Sequence, residues 1–373
     1  MYGGYDVAFS IVLLARDNDS KFVCTRRNEI VDLGQGLRTV DLRLAFAKQI
    51  EVRPVYYENA HNPHFAEGTL RTFLKTAKNM PDLLISASSP DAGIVIVAAI
   101  TTELVAEIRA RHDASPLAAA AMGRLATGAA LFGSALKGPE RLTLQINGDG
   151  PIGSIGTDAW LLDDGTLGVR GFSKNPRADL PLNARGKFDV AGVVGAGTLS
   201  VIRSYEVGQP YIGVVPLHTG EIAEDLAAYL GQSEQIPSVV ALGVLANPDG
   251  IRAAGGVLAQ VLPGADEKAI ATLEERAFAM PPVTTLINDG ADAHQLMHAL
   301  AGPIELRSHR SIDVRFACFC TRERVEGALV GMGADELRKM ASERPETEAT
   351  CEFCKKLYVF TSDEVITLAE TLA

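Results

Sequence analysis

Four of the five cysteines in this 373-residue chain fall in its last 56 positions, as Cys318-Phe319-Cys320 and Cys351-Glu352-Phe353-Cys354, with 30 residues between the pairs. In a reducing compartment stable disulfides are not kept, so clustered cysteines read as metal ligands or redox groups. Two short-spaced pairs far apart in sequence suit one tetrahedral centre. Each supplies two thiolates from one turn, and the chain between them folds back to bring them together. Four sulfurs close the coordination shell and leave no position for water, so such a site is structural or regulatory rather than Lewis-acid catalytic. Soft ligands in a tetrahedron favour one Zn2+, with an iron–sulfur centre as the lesser alternative. Cys24 has no neighbour in sequence and reads as an inert small hydrophobe.

The segment 315–373 is too small to stand on an apolar core alone, and the four cysteines are its staple. Thr321 is a candidate N-cap directly after the first pair, and Gly333-Ala334-Asp335 opens a second helix to about Ser342. Phe353, Tyr358 and Phe360 are expected to pack around the second pair. Thr361 with Glu364 forms a capping-box pattern for a terminal helix over 362–372. A tetrathiolate site with a divalent ion carries net negative charge, which Arg322, Arg324, Lys355 and Lys356 can partly balance.

Upstream the chain divides by pattern. Strand-like segments at 82–88 and 94–99 precede a helix at 101–112, and Ser115-Pro116 then starts a long Ala-rich helix to about Leu136. Alternating segments follow at 141–147, 154–162, 166–173, 197–205, 210–217, 238–246 and 251–262, with a helix at 219–230. Many strands on short turns with few helices predict an α+β core, mainly antiparallel, over 81–265. Residues 266–314 change style, with amphipathic helices broken at Pro281-Pro282 and Gly302-Pro303, and read as a helical linker held by limited apolar contact. The expected architecture is that core, the linker, and a small C-terminal zinc-binding domain.

Residues 1–80 hold 11 Lys+Arg against 9 Asp+Glu, whereas the remainder holds 24 against 37. Two readings stay open for them: an N-terminal extension, disordered over much of its length but with short elements such as 8–15 or 41–50, or a mis-assigned start with translation beginning at Met80. The net charge of −11 gives no global attraction for phosphate backbones, so no nucleic-acid partner is expected. No apolar run reaches the length of a membrane span, and the N-terminus lacks a signal-peptide pattern, so no membrane partner and a cytoplasmic location are expected.

Other motifs are weaker. Gly148-Asp149-Gly150-Pro151-Ile152-Gly153 matches G-x-G-x-x-G, but the alternation that follows reads as a strand, so a hairpin turn is expected rather than a dinucleotide site. His294 and His298 stand one helical turn apart without an obvious third ligand. No P-loop and no G-x-S-x-G elbow occur, so neither an ATP-driven cycle nor an enzyme is indicated and no catalytic residue is assigned.

The run RFACFCTRERVEGALVGMGADELRKM followed by CEFCKKLYVF resembles the 33 kDa chaperonins, the redox-regulated heat-shock holdases. Their signature is C-x-C and, roughly thirty residues later, C-x-x-C, with a Thr/Ser-Arg-Glu-Arg run after the first pair; here that run is Thr321-Arg322-Glu323-Arg324. LTLQINGDGP (142–151) and AAGGVLAQVLPGA (253–265) are similar to the family's sheet domain, and the resemblance extends over about 81–373 but not over 1–80. It implies a chaperone, not an enzyme, that binds unfolded or partly folded clients once oxidation of the four-cysteine zinc centre releases the ion and unfolds the C-terminal switch. It also implies disulfides Cys318–Cys320 and Cys351–Cys354 and a homodimer on oxidative activation. The alternative from another class is a zinc-ribbon module that binds protein or nucleic acid without redox switching.

Overall fold

The computed structural model describes residues 81–372, together with the backbone of four short strands upstream: β1 (Ala8–Val12), β2 (Ala15–Arg16), β3 (Phe22–Arg26) and β4 (Glu29–Asp32). The chain forms two compact units, one of residues 15–80 and one of 1–14 with 81–373. In the first, β2, β3 and β4 make a small antiparallel sheet, with Cys24 opposite Val31. The expected element at 8–15 is present as β1; the one at 41–50, and the expected disorder of the extension, lie outside the described residues.

The larger unit is built on one eleven-stranded sheet. Chain order gives β5 (Leu83–Ser89), β6 (Ile94–Ile100), α1 (Thr102–His112), α2 (Pro116–Gly133), β7 (Arg141–Gly148), β8 (Ser154–Leu161), β9 (Leu167–Ser173) and α3 (Val190–Val194). There follow β10 (Gly197–Ser204), β11 (Tyr211–Pro216), α4 (Ala223–Gln232), β12 (Ser238–Asn247), β13 (Gly250–Val261), α5 (Glu267–Ala279), α6 (Val283–Asn288), α7 (Ala293–Ala301) and β14 (Arg307–Phe316). Across the sheet the order is β1-β12-β13-β6-β5-β14-β9-β8-β7-β10-β11, antiparallel throughout except between β14 and β9. The observed class is the expected one, α+β with a mainly antiparallel sheet.

The Ala-rich helix α2 is the rod on which this sheet closes. Ser115 caps it, its hydroxyl accepting from Ala118 N at 3.0 Å, and Pro116 occupies the first turn where its missing N–H costs nothing. Every residue from Leu117 to Gly133 is buried. A helix apolar on all sides must be covered on all sides: α2 packs on β12 and β13 at one flank and on β7, β8 and β9 at the other. Its one charge, Arg124, is paired with Glu221 at 2.7 Å.

The expected linker is corrected in two respects. Its helices form, as α5, α6 and α7, but they are not loosely held. Leu273, Met280, Ile287, Leu296 and Leu300 share one buried cluster with Ile85, Ile94, Ile96, Val239 and Val257 of the sheet. The end of the segment is also not helical but the strand β14. It pairs with β5 through Arg307–Asp313 and with β9 through Val314–Phe316, joining the two halves of the sheet. RSHRSIDVRF hides this strand because its apolar alternation begins only at Ile312; partners on both sides, not its own side chains, make it a strand.

Beyond β14 stands a small module: α8 (Arg322–Val330), α9 (Ala334–Glu343), β15 (Glu346–Thr350), β16 (Leu357–Thr361) and α10 (Ser362–Glu370). Its buried cluster consists of Leu329, Leu337, Tyr358, Phe360, Val365 and Ala369. The predicted caps hold: Thr321 accepts from Arg324 N, and Thr361 and Glu364 form a complete capping box. Six buried side chains are little for a module of this length.

Candidate metal centre

The sheet delivers the first cysteine pair. Ala317 N donates to Val169 O at 3.1 Å, so β14 runs in register to the residue before Cys318, and Cys320 is followed at once by the capping Thr321. The second pair rides the turn of the β15–β16 hairpin. Cys351 N donates to Lys356 O (3.0 Å) and Lys355 N to Cys351 O (2.9 Å), with Lys355 at a left-handed φ of 57°. These two devices bring the four sulfurs together, all within 4.8 Å of one another. The Cys320–Cys354 separation is 3.2 Å and that of Cys318–Cys351 is 3.8 Å. Cys354 is buried and the other three are half-buried. Such a cluster could hold a metal ion.

Burial and mutual contact shift three of the four thiols. Burial raises the Cys318 thiol and pushes Cys354 up to about 12. Burial also raises Cys320, but the Tyr358 hydroxyl, which donates to its Sγ at 3.3 Å, and the neighbouring thiols outweigh this and bring it down to about 7. The same contact, with burial second, raises the Tyr358 phenol. Four ionised sulfurs this close repel one another unless a positive ion lies among them, and coordination deprotonates a thiol outright.

The four expected counter-charges have contacts of their own. Arg322 pairs with Glu326 and Glu364 and stacks on Phe360; Arg324 lies over Phe319; Lys355 pairs with Glu352; Lys356 lies over Tyr358. The guanidinium that reaches a sulfur is that of Arg170 on β9, with Nη1 3.5 Å from Cys318 Sγ. Arg170 belongs to a polar row across the sheet. Thr143, Asp158 and Arg170 are cross-strand partners on β7, β8 and β9. Arg170 Nε and Nη2 donate to Asp158 Oδ2 at 2.8 and 2.6 Å, and Thr143 donates to Oδ1 at 2.5 Å.

The same face carries Trp160 and Phe172, and glycine opens room for them: a Cβ on Gly156 would fall 2.3 Å from the Phe172 ring. Tyr358 and Phe360 pack inside the module as expected. Phe353 does not; it meets Phe172 edge-on at 4.9 Å while its carbonyl pairs with His112 Nε2 at 2.9 Å. Sequence reasoning passed over this docking face, although its signal is visible: SIGTDAWL and LGVRGFS each carry one charge within an otherwise uncharged strand.

The remaining motifs settle quietly. Residues 148–153 form the expected turn between β7 and β8, braced by Gly150 N donating to Val194 O. His294 and His298 lie on α7, and among the described residues the group able to hold a metal is that of the four cysteines. No described helix is long and apolar enough to cross a membrane.

Known proteins similar to this chain agree with one another. A 33 kDa chaperonin of Syntrophotalea carbinolica is 44% identical over 288 residues, spanning 77% of this chain and 98% of that protein. One of Bacillus cytotoxicus is 39% identical over 295 residues, spanning 79% of this chain and all of the relative. The crystal structure of a 33 kDa chaperonin, a heat shock protein 33 homologue from Thermotoga maritima, superposes with a TM-score of 0.72 at 33% identity, covering 78% of this chain and 99% of that one. The family model described as Hsp33 protein matches residues 82–361. The chain belongs to the Hsp33 family of heat-shock chaperones.

Proposed function

We propose that this chain is a redox-regulated, ATP-independent holdase held inactive by one Zn2+ on Cys318, Cys320, Cys351 and Cys354. One observation carries the reading: four converging sulfurs sit in a module whose apolar cluster has six buried side chains. A tetrahedral tetrathiolate with metal–sulfur bonds of about 2.3 Å has sulfurs about 3.8 Å apart, and the 3.2 to 4.8 Å spread brackets that value. When bound, the ion supplies a cross-link of about 10–16 kcal/mol in apparent free energy, comparable to the stability of a whole small domain.

The chain's own sulfurs are the switch. Two thiolates lose two electrons to a peroxide, whose O–O bond breaks and takes up two protons from solvent to give two waters, and one S–S bond forms. The resemblance to the family implies the bonds Cys318–Cys320 and Cys351–Cys354, each within its own pair. Bonds of this kind leave the two pairs free to separate, whereas a bond such as Cys320–Cys354 would staple them together. Once its thiolates are spent, the module loses its largest stabilising contribution and unfolds. Apolar surface then becomes available on the module, on helices α5–α7 and on the sheet, and partly unfolded clients bind it. The oxidised protein associates as a homodimer and acts in the cytoplasm, without nucleic acid or membrane as partner.

The test combines zinc release to a chromogenic chelator under peroxide and mild heat with light scattering from a heat-denatured client. Release of about one zinc per chain should accompany suppression of aggregation. Equal suppression by the fully reduced, zinc-loaded protein would refute the switch.

A further inference from the structure

Each cysteine pair encloses one phenylalanine, and the two rings clasp a single arginine of the core sheet. The Arg170 guanidinium lies 3.7 Å from the Phe319 centroid and 3.6 Å from that of Phe353. It is 7% exposed, its edge occupied by Asp158 and its remaining nitrogen aimed at Cys318 Sγ. Phe319 also meets Trp160 edge-on at 5.0 Å.

We propose that Arg170 is a positioning residue that couples the metal centre to the core, a latch that closes only while the two cysteine pairs are held together. Guanidinium–ring contacts gain strength when desolvated, and here two rings pack on one cation. The rings come from different pairs, so no movement that separates the pairs preserves both contacts. Opening the centre therefore releases Arg170, and by the reciprocity of coupled equilibria a seated Arg170 holds the pairs closed. The inference rests on the four-cysteine zinc reading above and adds to it the residue that transmits the state of the centre to the sheet.

The experiment uses the full chain loaded with zinc. Three quantities are read: zinc and protected thiols per chain, the rate of zinc transfer to a chromogenic chelator, and acrylamide quenching of Trp160, the chain's single tryptophan. Arg170→Gln should still bind one zinc with four protected thiols. It should release zinc about tenfold faster or more, the scale of outer-shell effects on metal affinity, and expose Trp160 to quencher before any oxidation. Arg170→Lys keeps a charge opposite Asp158 but has no planar faces, and should also release faster than the parent. Phe353→Leu leaves the Arg170–Asp158 pair intact, so faster release with an unchanged thermal melt of the core separates latching from general destabilisation. Parental release and quenching in Arg170→Gln, or in Phe353→Leu should the former not fold, would overturn the latch. A parent chain that binds no zinc would overturn both the latch and the reading beneath it.

Discussion

Replacing Phe360 by alanine probes the link between fold and metal without touching a sulfur. Phe360 is fully buried in the six-residue cluster of the module, and the Arg322 guanidinium stacks on its ring at 4.2 Å. Phe→Ala at such sites costs about 3–5 kcal/mol, with the lower end expected where a small cluster can collapse on the gap. If the metal-free module is unfolded, folding is part of binding, and this cost appears undiminished in the zinc affinity. At about 1.4 kcal/mol per decade, the apparent affinity of Phe360→Ala should fall by roughly 10²-fold to a few times 10³-fold with all four cysteines in place. Competition against a chelator of known affinity measures it. Leu144→Ala, equally buried but in the main sheet, should leave zinc affinity unchanged. An unaltered affinity in Phe360→Ala would refute the coupling, because it would mean that the cysteines bind zinc without the surrounding fold.

Three further outcomes follow from particular contacts. Tyr358→Phe removes the hydroxyl that donates to Cys320 Sγ and Cys320 O, and should weaken zinc by about 10-fold or more in the same competition assay. Asp225→Ala strands four backbone donors, from His218, Thr219, Gly220 and Ile222, that converge on its buried carboxylate; urea melts should show a loss of on the order of 3 kcal/mol. Asp82 is raised to about 7 by burial, although the amides of Glu103 and Leu104 pull the other way. Between the ordinary carboxylate range and pH about 7 the native state holds a proton that the unfolded chain lacks. Stability should therefore fall with rising pH across that window, by on the order of 1 kcal/mol per pH unit. Asp82→Asn should flatten the slope in denaturant titrations at several pH values, and an equally steep slope in the variant would assign it elsewhere.

What could be read from the sequence is what is local. The cysteine spacing, the Ser115-Pro116 start, the Thr321 cap and the Thr361–Glu364 box each need only a few neighbouring residues, and each is where the pattern places it. The alternating strands of the core follow for the same reason. The docking face does not, because Arg170 and Cys318 stand 148 positions apart and meet only through the register of β7, β8, β9 and β14. Nor are the contacts of the nearby charges visible: Arg322 and Lys355 are near the sulfurs in sequence, and in the fold each pairs with a carboxylate, Glu364 and Glu352. The helices α5–α7 looked like a loose linker because their charged faces are visible in sequence, whereas the sheet that buries Leu273 and Leu296 is not.

Hydrogen exchange over residues 317–372 tests the account most directly, read on the reduced zinc-loaded chain and again after peroxide has formed both disulfides and the zinc has been removed. The account predicts slow exchange in β16 and α10 in the loaded chain and exchange at the rate of an unfolded peptide afterwards, while α2 stays protected in both. A C-terminal module that remained as protected without its metal and thiolates as with them would contradict it.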